Sequence, residues 1–187
     1  GLIKEMKESR RNSQHKMDLP DSISLYYSQE LDKAFRDVEL VLIAVISKGM
    51  KSISEKIAPY LNEDHKILSI TKGIDEDSLT TMSTIIERSI PDKLKGSIGI
   101  IKLGGPIIAA ELAQSKYAEG VFASKNLKAA EYAAGLFKSP KFKVNVSQDI
   151  QGVDLCAAFK NSYAIAMGMM EGLEGDMNNP KAALMAR

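Results

Sequence analysis

Residues 38–45 read VELVLIAV, a run of branched aliphatic residues broken only by Glu39. Such a run fits a strand of a parallel sheet buried on both faces, which needs partner strands beside it and helices above and below. The following sequence supplies both in alternation. Helices are expected over 49–61, 78–89, 106–115 and 127–137, and strands over 66–71, 97–102, 120–123 and 142–146. Strand–helix–strand alternation implies right-handed crossovers and a mainly parallel sheet with helices on its faces, so the fold class is α/β. Ahead of this block, Leu2, Ile3 and Met6 mark a first helix, 19–22 a turn, 25–28 a short strand and 29–35 a short helix. From Ser147 onward the pattern is helical only, with Ser147 or Asp149 placed as the cap. The expected division is therefore a sheet domain over 1–147 and the start of an all-helical domain over 148–187.

The charges nearly cancel, with 25 Lys and Arg against 24 Asp and Glu, so no global field draws nucleic acid or an anionic membrane. Small-molecule chemistry is the remaining default. The single cysteine, Cys156, cannot form an internal disulfide and sits in an apolar segment, which suits a reducing, cytoplasmic setting. Residues 1–17 lack the apolar centre of a signal peptide, and the longest apolar run carries Lys160 and Asn161 at its middle, so no membrane span is expected. His15 and His65 have no second ligand at metal-binding spacing, and no metal site is expected.

That apolar run, LCAAFKNSYAIAMGMM over 155–170, holds the chief catalytic candidate. A helix apolar on nearly all sides is expected to be buried, and a buried ammonium must either find acceptors or give up its proton more readily. Either property suits Lys160 to proton transfer. In open parallel sheets ligands gather beyond the carboxyl ends of the strands. The segments there are Val45-Ile46-Ser47, Thr71-Lys72-Gly73 and Leu103-Gly104-Gly105-Pro106. Paired glycines before a proline at a first helical position allow backbone amides to face an anion such as phosphate. Lys72 and Lys160 beside such a turn would suit a small phosphorylated carbonyl compound. Asp176, Asn178 and Asn179 read as a polar turn before a last helix.

These residues, in this order, resemble the NAD(P)-dependent glycerol-3-phosphate dehydrogenases. The resemblance rests on VLIAVIS at 41–47, ITKG at 70–73, GGPIIAAELA around Gly105, KSPKFKVNVSQDIQGVDLCAAFKN at 138–161 and NPKAALMAR at the end, and it covers essentially the whole chain. Its most specific part is Phe159-Lys160-Asn161. It implies a partial Rossmann-like domain followed by a helical one, commonly dimeric, that uses NAD or NADP to interconvert dihydroxyacetone phosphate and sn-glycerol 3-phosphate, a precursor in lipid synthesis. It also implies roles: Lys160 as proton donor and acceptor, Asn161 and Gly105 at the substrate, Lys72 near both substrate and nicotinamide, and Ala109 at the cofactor. Ser47, at the end of the first buried strand, is assigned to the cofactor as well.

Two departures accompany the resemblance. Ile107 and Ile108 stand where the family carries a serine or asparagine after Gly-Pro, which removes one polar substrate contact. The family's Gly-rich phosphate loop would lie before Gly1 and its phosphate-end residues after Arg187, so the chain reads as a fragment. Alternative readings are a reductase for another keto or hydroxy acid of the same superfamily and a non-catalytic nucleotide-binding protein. A polypeptide limited to these residues is expected to be inactive; turnover of dihydroxyacetone phosphate by a purified chain of confirmed mass would overturn that.

Overall fold

The computed structural model describes residues 2–13 and 16–174. His15 and the turn at Asp176, Asn178 and Asn179 lie outside them. Helix α1 (Leu2–Ser9) leads into a small hairpin of β1 (Arg11–Asn12) and β2 (Met17–Asp18), and α2 (Leu31–Ala34) precedes the main block. That block comprises β3 (Leu40–Ile43), α3 (Met50–Ile57), β4 (Lys66–Ser69), α4 (Met82–Ser89), β5 (Gly99–Gly104), α5 (Ala109–Ala113), β6 (Ala118–Ala123), α6 (Leu127–Phe137), β7 (Phe142–Ser147) and α7 (Ile150–Glu174). The five-stranded sheet runs in the order β3-β4-β5-β6-β7. The α/β class and the mainly parallel sheet agree with the sequence.

Parallel pairing sets Leu40 opposite Lys66 and Lys66 opposite Gly99, and a second parallel pair joins β6 to β7. The junction between β5 and β6 is antiparallel, with Lys102 opposite Ala123 and Leu103 opposite Phe122. The connection explains this reversal. A parallel crossover needs a helix long enough to return along the sheet, whereas the segment between β5 and β6 holds only the five residues of α5.

Side chains alternate across each strand, so one strand feeds two cores. Ile67 joins Ile43, Met50, Ile57, Met82, Ile85 and Ile86 beneath α3 and α4. Leu68 joins Ile101, Leu103, Phe122 and Phe142 beneath α6. Helix α6 approaches through Ala129, Ala130, Ala133 and Ala134, and Asn126 caps it by accepting a hydrogen bond from the Ala129 amide. Phe122 fills the remaining space, its ring 5.5 Å from Phe137 and 6.4 Å from Phe142. As expected, Asp149 caps α7 by accepting from the Gly152 amide at 2.8 Å.

Several expectations are corrected. Residues 25–28 form no strand. The strand expected over 38–45 is shorter and lies at the sheet's edge, so only Ile43 is buried and Leu42 is exposed. The helix expected from Ser78 starts at Met82, because Asp75 accepts from both the amide and hydroxyl of Ser78 and holds the preceding segment in a turn. Pro106 does not begin a helix, since α5 starts at Ala109. Helix α7 is buried only along its first turns. Phe159, Tyr163, Ile165 and Met169 are exposed, as is Cys156, because beyond Ala157 this part of α7 has no cover among the described residues.

His65 is buried at the head of β4, with its ring edge toward Phe35 and its Nδ1 accepting from the Asn62 amide at 2.9 Å. Burial, before any nearby charge, lowers its pKa below the usual 6.5. The unfolded chain therefore takes up a proton at higher pH than the folded one. Stability should be full above about 6.5 and decline as pH falls from there toward the lowered folded pKa. Urea denaturation across this range should show that decline, and His65→Asn should flatten it.

Candidate active site

The centre of the site is a pair of charges fully withdrawn from water. Lys102 on β5 and Asp154 on α7 are both 0% exposed, with Nζ and Oδ1 separated by 3.0 Å. Asp154 Oδ1 makes no hydrogen bond, so the ammonium's charge is its compensation. The other carboxylate oxygen accepts from the Ser83 amide at 2.8 Å. Ser83 is in the first turn of α4, whose cap residue Thr81 makes no capping bond of its own. Asp154 thus serves as a long-range cap at the positive end of that helix. Lys102 also donates to the carbonyl of Thr71. Thr71 in turn donates to the Val45 carbonyl at 2.8 Å and accepts from its amide at 3.3 Å. The ends of β3, β4 and β5, the start of α4 and the first turns of α7 are joined through these side chains.

Beside the pair, a cleft of about 530 Å³ runs along α7. Gly104, Gly105 and Pro106 line it from the sheet, and Val153, Cys156, Ala157 and Lys160 line it from the helix. Gly104 permits this close packing, because a Cβ there would lie 2.7 Å from Val153 Cγ1. Gly105 has φ +133°, and its own Cβ would lie 2.6 Å from the Glu119 carbonyl oxygen. The glycine pair therefore seats the turn against β6 and α7.

The candidate residues fall into two groups. Lys160 and Gly105 line the cleft together, and Lys160 is half-buried. Lys72 is close enough for Lys160 to act on it: its pKa is lowered, first by burial, then by repulsion from Lys160 and Lys102. The residue as a whole is still exposed, and solvent limits the shift. Ser47 borders this region, because a Cβ on Gly73 would lie 3.0 Å from its Cβ. Ala109 at the start of α5 and Asn161 on α7 are exposed and are not among the residues lining the cleft.

Lys102 and Asp154 were not among the candidates, and Thr71 entered only as part of the turn after β4. Lys102 gave a signal, standing in the apolar run GIIKLG, the same kind of setting that drew attention to Lys160. Among the described residues no helix is long and apolar enough to cross a membrane, and no three potential ligands are grouped as a metal site.

Removing one member of the buried pair strands a charge in the core. Asp154→Leu alone should cost about 3–5 kcal/mol in denaturant unfolding, whereas replacing both members by apolar residues should cost far less. Gly105→Ala, which meets backbone at an unfavourable φ, should lose about 1–3 kcal/mol in the same measurement.

Comparisons with known proteins come at two levels. The family model for the NAD-dependent glycerol-3-phosphate dehydrogenase N-terminus matches residues 1–130, and the model for its C-terminus matches 149–187. The chain is similar to glycerol-3-phosphate dehydrogenase (NAD(P)+) of Bacillus velezensis, 31% identical over 186 residues, covering 100% of this chain and 53% of that protein. It is also similar to the enzyme of the same name from Fusobacterium nucleatum, 32% identical over 188 residues, with 98% and 55% covered. The chain spans about half the length of the curated relatives it matches. Among solved structures, glycerol-3-phosphate dehydrogenase from Plasmodium falciparum aligns with a TM-score of 0.80 at 22% identity, over 99% of this chain and 51% of that one. The enzyme from Coxiella burnetii aligns at 0.79 and 22%, over 98% and 54%. At these identities the structures establish the shared fold.

Proposed function

Since the chain belongs to the NAD-dependent glycerol-3-phosphate dehydrogenase family, we propose that its protein interconverts dihydroxyacetone phosphate and sn-glycerol 3-phosphate with NAD or NADP. The observation carrying this reading is the electrostatic coupling of Lys72 to Lys160, with Lys160 lining the same cleft as the Gly104–Pro106 turn. Two cations converging near the carboxyl ends of β4 and β5 suit an anionic substrate at the place where open α/β sheets bind ligands.

The residues present fit the nicotinamide end of the cofactor. Ser47 and Gly73 bring the turns after β3 and β4 into contact, and Lys72 projects from the second turn. On this reading Ser47, Lys72 and Ala109 hold that end of the cofactor, which supplies a hydride when bound. In reduction, the substrate's ketone carbon gains the hydride and its oxygen gains the electron pair of the carbonyl bond. Lys160 gives that oxygen a proton, producing the secondary alcohol; in oxidation it takes the proton back. Lys72, Gly105 and Asn161 orient the substrate, with Lys72 adding positive charge beside the developing alkoxide. Burial and the neighbouring Lys160 weaken the hold of Lys72 on its proton.

The same reading includes the division near residue 148 into a sheet domain and a helical substrate domain, a cytoplasmic homodimer, and supply of glycerol 3-phosphate to lipid synthesis. The test is nicotinamide absorbance in the full-length natural protein given dihydroxyacetone phosphate with NADH or NADPH. Turnover is expected with at least one of the two, and Lys160→Ala should reduce kcat by about 10²–10⁴. Equal turnover by the variant would remove Lys160 from the proton-transfer step. Activity confined to other keto acids would reassign the substrate.

A further inference from the structure

A buried ion pair is a weak device for stability, because the cost of withdrawing two charges from water offsets most of their attraction. The pair between β5 and α7 has a second consequence, set by its remaining contacts. Lys102 reaches the carbonyl of Thr71, the residue immediately before Lys72. Thr71 is also fixed to the main chain of Val45 by two hydrogen bonds. Asp154, facing Lys102, belongs to the helix that carries Lys160. One ammonium group therefore touches both the turn bearing the first functional lysine and a carboxylate on the helix bearing the second.

We propose that Lys102 and Asp154 form the positioning element of the site: the buried pair clamps the Thr71–Lys72 turn to α7 and so sets the Lys72 ammonium against Lys160. The clamp acts on the two lysines that the dehydrogenase reading makes functional, but neither of its own side chains lines the cleft. The charges around Lys72 fit this assignment. Lys160 from α7 and Lys102 from β5 both repel its proton, and Asp154 is the partner of Lys102. Without the clamp, Lys72 is free to move away from the other two cations into water.

The experiment replaces the pair with apolar residues, Lys102→Met/Asp154→Leu, in the full-length natural protein. It follows the Lys72 side-chain nitrogen by NMR during a pH titration, with the assignment made from Lys72→Arg. The double variant should lose far less stability than Asp154→Leu alone, because no charge is left stranded. Its Lys72 should titrate at higher pH than in the parent. Its kcat should fall by about 10², with a smaller change in KM, as expected for misplacement of a functional group. Lys102→Arg, which keeps the charge and its donors, should preserve the Lys72 titration. A folded double variant with an unmoved Lys72 titration overturns the proposal. If the double variant does not fold, Asp154→Asn has the same shape and can still accept from Ser83, and an unmoved titration there overturns it equally. The two readings separate cleanly. A parent without turnover but with a Lys72 that responds to the pair rejects the dehydrogenase and retains the clamp, whereas turnover with an unresponsive Lys72 rejects only the clamp.

Discussion

A contact between opposite charges in a water-free interior ties helix α7 to the sheet, while hydrogen bonds between Gln151 and both Thr81 and Thr84 tie it to α4. Apolar packing alone would tolerate sliding, since Val153 and Ala157 meet a smooth glycine surface at Gly104. Sliding the helix by a turn would leave Lys102 and Asp154 buried without each other, at a cost of several kcal/mol. The pair thus contributes register more than stability. From Asp154 the helix climbs about 9 Å to Lys160, so fixing the first residue fixes the level at which the second enters the cleft. The same contact caps α4 through Ser83 and restrains Thr71, so three elements share one reference point.

The reversal at β6 sets the side from which α7 approaches the sheet. Strands β3, β4 and β5 point their carboxyl ends to one side, but β6 and β7 run the other way, and the chain leaves β7 on the opposite side. Helix α7 must carry it back. Val153, in the first turn of α7, packs on Gly104 at the end of β5. Lys160 follows beyond the strand ends. A short strand connection at 105–117 therefore determines, through sheet direction, that a residue far along the chain arrives at the carboxyl ends.

Much of this was legible in the sequence, and the failures have definite physical causes. Aliphatic runs identified the sheet strands because each contributes at least one fully buried residue, and Asp149 revealed the start of α7 because capping is local. The direction of β6 was hidden because it depends on the length of α5, which is shorter than the sequence pattern suggests. The rule that a lysine in an apolar run requires a partner was sound, but it described Lys102 better than Lys160. Lys102 lies in a central strand with both faces covered, whereas Lys160 lies on a helix whose apolar residues are largely exposed. Asp154 gave no warning, since an aspartate early in a helix ordinarily faces solvent; only its distance from Lys102 and Ser83 reveals its role.

Two lysines near one another pose an electrostatic problem that the fold resolves by position. Lys160 weakens the hold of Lys72 on its proton, and Lys102 adds to that repulsion. Asp154 pairs with Lys102 where solvent cannot reach it. Lys160 lines the cleft along α7, and Lys72, outside that lining, lies near enough to feel its charge. In water at physiological ionic strength, charges are screened over about 8 Å. On the proposed reading, the position of Lys72 relative to Lys160 governs how tightly Lys72 holds its proton and how strongly the two hold an anion. The buried pair constrains that variable directly, which is why an interaction of small net stability can have a large effect on the site.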